Sequence, residues 1–150
     1  VLWPLSVVVT AVLTYGALAV LSGRGGLTEA ETLALTRDGA SQGLFGTASD
    51  VVGASFHGLT VVRAMDVFGG PGVACLAVFP TTTDPAEMQG PIYTGCTAGA
   101  LPAIVQVGVD DVSPAGLRQQ YADGTGLRFV LDGDSVRVLV DGSGRVTPGA

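Results

Sequence analysis

Leu127-Arg128-Phe129-Val130-Leu131-Asp132-Gly133-Asp134-Ser135-Val136-Arg137-Val138-Leu139-Val140 is the stretch that decides the fold. Two alternating runs rich in β-branched and aromatic residues flank a Gly-Asp pair, the pattern of an antiparallel hairpin. With Gly133-Asp134 as the turn, Leu127, Phe129 and Leu131 lie opposite Val140, Val138 and Val136 and make one apolar face. Arg128, Val130, Arg137 and Leu139 take the other face, whose mixed character points to partial exposure or to a partner.

Asp-Gly pairs recur here at Asp123, Asp132 and Asp141, the period of nonapeptide calcium-binding repeats. Those repeats need a carboxylate at the sixth position of each unit, where this chain places Arg128 and Arg137. A cation cannot replace a carboxylate ligand, so the calcium reading fails and the hairpin stands.

Moving upstream, Ser113-Pro114 is predicted to supply an N-cap and a first-turn proline for a short helix to about Tyr121, burying Leu117 and Tyr121 at i, i+4 spacing. Val105, Val107 and Val109 alternate with Gln106 and Gly108 as a further strand. Thr60–Phe68, the turn Gly69-Gly70-Pro71-Gly72 and Val73–Phe79 read as another hairpin, with Val73, Cys75, Ala77 and Phe79 on one face directed to the core. Val51–Phe56 is a weaker strand. From Gly46 onward the pattern is therefore a mainly antiparallel sheet with Gly-rich turns, and Val146–Ala150 is expected to form a disordered tail.

Cys75 and Cys96 are the only cysteines. Their pairing would tie the loop Pro80–Gly95 back onto the sheet, closing a loop that stabilises the fold by ~3 kcal/mol in the chain-entropy account. A lone pair in a small Gly-rich domain is what an oxidising compartment uses as a staple.

The N-terminus gives a different kind of information. Val1–Gly23 carries no charged side chain, and a helix over it at ~1.5 Å per residue matches the ~30 Å hydrocarbon core of a bilayer. Trp3 suits an interface and Pro4 a first helical turn. Ala17-Leu18-Ala19 fits a signal-peptidase pattern, so a cleaved signal is the alternative, although the apolar run continues through Val20-Leu21. Arg24 and Arg37 on the C-terminal side favour a cytoplasmic domain by the positive-inside rule, whereas the cysteines favour an extracytoplasmic one, the reading adopted. Behind a flexible Gly23-Arg24-Gly25-Gly26 exit, Thr28-Glu29-Ala30-Glu31 has the form of a capping box and predicts a juxtamembrane helix from Glu29 to about Asp38, ending at Gly39, with Leu27 stapled onto Leu33.

Composition narrows the partners. The chain has no Lys, no Asn and only two Ile, a bias expected of a GC-rich bacterial genome. Its net charge of −6 argues against nucleic acid and against anionic headgroups, since both demand clustered cations. Without Asn there is no N-glycosylation acceptor.

Candidate chemistry is sparse. His57 has no second His and no Cys cluster at ligand spacing, so it reads as a turn residue rather than a zinc ligand. Asp110-Asp111 reads as a solvated acidic pair ahead of the helix. Gly69-Gly70-Pro71-Gly72 lacks the Lys and Ser/Thr of a phosphate loop, and no Ser lies in a nucleophile elbow. No catalytic, cofactor-binding or metal-binding residue is assigned.

One resemblance involves an enzyme family. An N-terminal anchor, His57, the segment Thr94-Gly95-Cys96-Thr97 after a β-rich stretch, and Arg118 resemble sortases, membrane-anchored cysteine transpeptidases that use a His, a Cys and an Arg on a β-barrel. The resemblance would make Cys96 a nucleophile. It departs from the family where sortases carry a Leu-x-Thr-Cys strand and this chain has Ile92-Tyr93-Thr94-Gly95, a glycine expected to break the strand, and Cys75 offers Cys96 a competing disulfide.

The chain thus reads as an α+β protein. A transmembrane anchor spans residues 1–23, a linker and juxtamembrane helix residues 24–43, and a small extracytoplasmic domain with one short helix residues 44–145. The expected role is that of a non-catalytic binding or accessory module of the cell envelope. The bilayer is its partner through residues 1–23, together with an envelope protein; the alternative is a small subunit of an integral membrane complex.

Overall fold

The computed structural model describes residues 26–37, 50–67, 69–81 and 90–142. Eight strands and one short helix make up these segments: β1 (Leu27–Ala34), β2 (Val51–Phe56), β3 (Leu59–Met65), β4 (Ala74–Pro80), β5 (Tyr93–Cys96), β6 (Ile104–Gly108), α1 (Ala115–Gln120), β7 (Gly126–Asp132) and β8 (Ser135–Asp141). They form two four-stranded antiparallel sheets, ordered β1-β8-β7-β6 and β2-β3-β4-β5. The mainly antiparallel domain with one short helix is the one the sequence describes. Residues 1–23 and 146–150 lie outside the described residues, and among the described residues no helix is long and apolar enough to cross a membrane.

The β7–β8 hairpin has the expected register, with Leu127 opposite Val140, Phe129 opposite Val138 and Leu131 opposite Val136. All six are buried. Gly133 sits at the first turn position with φ 60°, as in the II′ turns whose twist matches that of paired strands. Facing this layer, the inner sides of β2, β3 and β4 contribute Val52, Phe56, Leu59, Val61, Leu76 and Val78, so one core fills the space between the sheets.

The juxtamembrane helix is not formed: Leu27–Ala34 is a strand paired along β8, from Leu27 with Asp141 to Ala34 with Ser135. Thr28-Glu29-Ala30-Glu31 states a helix only locally, and two effects override it. Leu33 and Leu35 are both buried in the common core, which alternation allows, whereas on a helix they would stand about 200° apart at ~100° per residue. Pairing with β1 also satisfies the backbone groups of β8, which would otherwise form an open edge. The polar residues Thr28, Glu29 and Glu31 remain exposed, and a register shift between Glu29 and Glu31 kinks the strand there. β1 therefore belongs to the folded domain, not to a linker, and Leu27 pairs with Asp141 rather than stapling onto Leu33.

Each strand neighbours the next in sequence, and β8 closes the series by pairing with β1. Two corners join the sheets. At one, Thr36 and Gly53 exchange backbone hydrogen bonds of 3.0 and 2.7 Å. At the other, a Cβ on Gly95 would meet the carbonyl oxygen of Ile104 at 2.1 Å. Gly95 therefore does not break β5; it lies within the strand, and its missing side chain is what lets β6 cross so closely.

Cys75, Ala77 and Phe79 share a buried face as expected, but it is the outer face of the second sheet. There Ala77 and Phe79 pack with Val51, Val62 and Ala64 in a separate apolar cluster. The alternate residues Leu76 and Val78 point into the common core.

Candidate functional site

Cys75 and Cys96 are directly opposed on β4 and β5 and joined by a disulfide. The neighbouring pair exchanges the ladder bond, Thr97 N–H donating to Ala74 O at 2.9 Å. The cysteines thus occupy a non-hydrogen-bonded position, where cross-strand side chains come closest. Cys75 is buried and Cys96 exposed.

The other residues that the sequence singles out are scattered. His57, with φ 45°, and Gly58, with φ 87°, form the β2–β3 turn, both with positive φ as in a I′ turn. The imidazole packs edge-on against Phe56, with ring centroids 4.6 Å apart, and against Tyr121 at 5.9 Å. A Cβ on Gly116 would lie 3.0 Å from the His57 carbonyl oxygen, so the turn is seated against α1. Asp110 belongs to the connection into α1: its Oδ1 accepts from Ser113 Oγ at 2.7 Å, and its N–H donates to Ser113 Oγ at 3.1 Å. Ser113 is engaged there and caps nothing; Pro114 occupies the N-cap position instead. Arg118 Nε donates to the Ser113 carbonyl at 3.0 Å.

The sortase-like trio is not assembled. Cys96 pairs with Cys75 at the far end of β4, whereas His57 lies beyond Leu59, which pairs with Pro80 at the near end. Cys75 to Pro80 spans roughly 16 Å of strand at ~3.3 Å per residue, and the Cys96 sulfur is bonded rather than a thiolate. Among the described residues there is no group of three or more His, Cys, Asp or Glu placed to hold a metal ion.

Among the described residues, a groove of about 330 Å³ crosses the outer face of the first sheet at the end where β1 begins and β8 finishes. Gly108 and Gly126 are opposed on β6 and β7, so that row has no side chains and the surface sinks. Leu27 and Asp141 on β1 and β8 form one wall, and Gln106 and Arg128, also opposed, form another. Asp141 Oδ2 accepts the Gly126 N–H at 3.0 Å, fixing that carboxylate over the glycine row.

Arg128 differs from two other arginines of the two sheets, Arg63 and Arg137. The Nε atoms of Arg63, Arg128 and Arg137 are all buried without a hydrogen-bond partner. Arg63 nevertheless pairs with Asp134 at 2.7 Å, and Arg137 with Asp132 at 3.5 Å. The Arg128 guanidinium has no ion-pair or hydrogen-bond partner among the described residues.

The sequence places Arg128 on the mixed face of the hairpin but does not reveal the groove. Its depth depends on Gly108 meeting Gly126, a pairing between strands separated by α1, and on β1, whose residues read locally as helix. No family model, curated protein or solved structure matches this chain.

Proposed function

We propose that the protein is an extracytoplasmic binding or accessory module of the cell envelope, tethered to the membrane by its apolar N-terminal segment and working by surface recognition rather than bond-making. The observation that carries this reading is the Cys75–Cys96 disulfide. Such a bridge persists in oxidising compartments and is rare where glutathione and thioredoxin hold thiols reduced. The uncharged run Val1–Gly23 supplies the tether. The net charge of −6 supports a partner other than nucleic acid or anionic lipid surface. A small sandwich with a groove on one face suits the holding of a ligand or an envelope protein.

The test is topology. The full chain, carrying a C-terminal epitope, is expected in the membrane fraction after alkaline carbonate extraction, with the epitope removed by protease added outside intact spheroplasts. An epitope degraded only after lysis would place the domain in the cytoplasm and overturn the reading. Release by carbonate would overturn the tether alone.

A further inference from the structure

We propose that the groove between Leu27, Gln106, Arg128 and Asp141 binds a monoanionic carboxylate of the kind carried by a peptide C-terminus, with the Arg128 guanidinium as its cation. This goes beyond the envelope reading and does not depend on the anchor.

Charge is the first argument. In a chain with 13 acidic residues against seven basic ones, an arginine at a groove with no acidic partner among the described residues is an unused cation. Its Nε is already buried, so part of the guanidinium's desolvation cost is met by the fold itself, and an anion at the guanidinium would add a charge-assisted acceptor. Arg128 stands opposite Leu139 on one side and Gln106 on the other. It therefore has an apolar cross-strand neighbour on one side and, on the other, an amide that can donate to the same ligand.

Shape is the second. The opposed Gly108 and Gly126 leave a trough beside Arg128, and a Cβ on Gly108 would meet nothing within 4 Å. The volume, about 330 Å³, lies at the small end of ligand sites, suited to one or two residues of a chain end.

The third argument selects the anion. Asp141 lies on the opposite wall, diagonal to Arg128 across β7 and β8. Its carboxylate penalises a phosphate dianion more than a single planar carboxylate, which matches the guanidinium fork.

Titration of the full chain in detergent micelles, followed by ¹H–¹⁵N correlation spectra, tests this with three probes: N-acetyl-alanyl-alanine as the free acid, the same peptide as its C-terminal amide, and inorganic phosphate. The free acid should give saturable shifts at Gly108, Gly126 and the Arg128 Nε–H in the millimolar range or below, the amide none, and phosphate weaker ones. R128Q should weaken binding of the free acid about tenfold or more, as expected for loss of a charge-assisted pair. G108L, which keeps Arg128 but fills open space, should block binding by occlusion, and it tests the site even where R128Q fails to fold. Equal shifts with acid and amide, tighter binding of phosphate, unchanged affinity in R128Q or in G108L, or no saturable shift at all would each overturn the proposal.

Discussion

Arg63 donates from Nη1 to Asp134 Oδ1 at 2.7 Å, joining the inner face of β3 in one sheet to the β7–β8 turn of the other. The same Nη1 reaches the Gly133 carbonyl at 3.2 Å, and Nη2 lies 3.6 Å from Asp50 Oδ1. Arginine occupies an inward position here because it lies near the end of the sandwich, where its stem covers apolar surface and its head reaches the rim.

The two partners of this clasp are unequal: the Arg63 side chain is 15% exposed and that of Asp134 is 88% exposed. D134A should therefore cost no more than about 1 kcal/mol, as for exposed ion pairs. R63A also removes the packed stem and the bond to Gly133, and should cost about 1–3 kcal/mol. Urea denaturation of the two variants checks the order; equal losses would mean that the ion pair alone matters.

Gly95 and Gly108 are both strand glycines, and the structure assigns them opposite tolerances. G95A drives a methyl into the Ile104 carbonyl, 2.1 Å from the ideal Cβ position. It should destabilise by roughly 3 kcal/mol or more, because backbone rather than a flexible side chain must move. G108A meets open space and should stay within about 0.5 kcal/mol of the parent. Thermal melts followed by circular dichroism separate them.

Phe129 is fully buried at the centre of the common core and meets Phe56 edge to face, with centroids 5.7 Å apart. F129A should cost about 3–5 kcal/mol. Leu101 is apolar too but 69% exposed on the β5–β6 connection, and L101S should change stability by no more than about 0.5 kcal/mol. Denaturant midpoints for the two variants test whether the apolar face of the β7–β8 hairpin is the interior.

These contrasts show which parts of the fold the sequence makes legible. The β7–β8 hairpin is readable because periodicity and turn chemistry agree over a continuous stretch, and the pairing of Cys75 with Cys96 follows from there being two cysteines. Leu27–Ala34 misleads because Thr28 and Glu31 state a helix locally, while the evidence for a strand, Leu33 and Leu35 both buried beside β8, is tertiary. The side to which Cys75, Ala77 and Phe79 face is likewise undetermined locally, since β4 is apolar on both faces and alternation cannot say which is the common core. The groove is harder still to read: Gly108, Gly126, Leu27 and Asp141 come from four strands, and no spacing in the chain brings them together.

Removing the staple should cost stability without changing the fold. The disulfide closes a loop with a sequence separation of 21, and the C75A/C96A double variant should lose about 3 kcal/mol on the chain-entropy account. Because Ala74 to Val78 still pair with the β5 region through backbone bonds, the far-ultraviolet spectrum should be retained. Collapse of that spectrum would make the bridge a condition of folding rather than a reinforcement.

The proposed envelope location rests on the oxidation state of this pair in living cells. Acid quenching of cells that make the full chain, then alkylation with a polyethylene-glycol maleimide before and after reduction, reads it directly. The expected result is no mass shift without reductant and a shift of both cysteines after it. Full modification of Cys75 and Cys96 without reduction would place the domain in a reducing compartment and contradict the account.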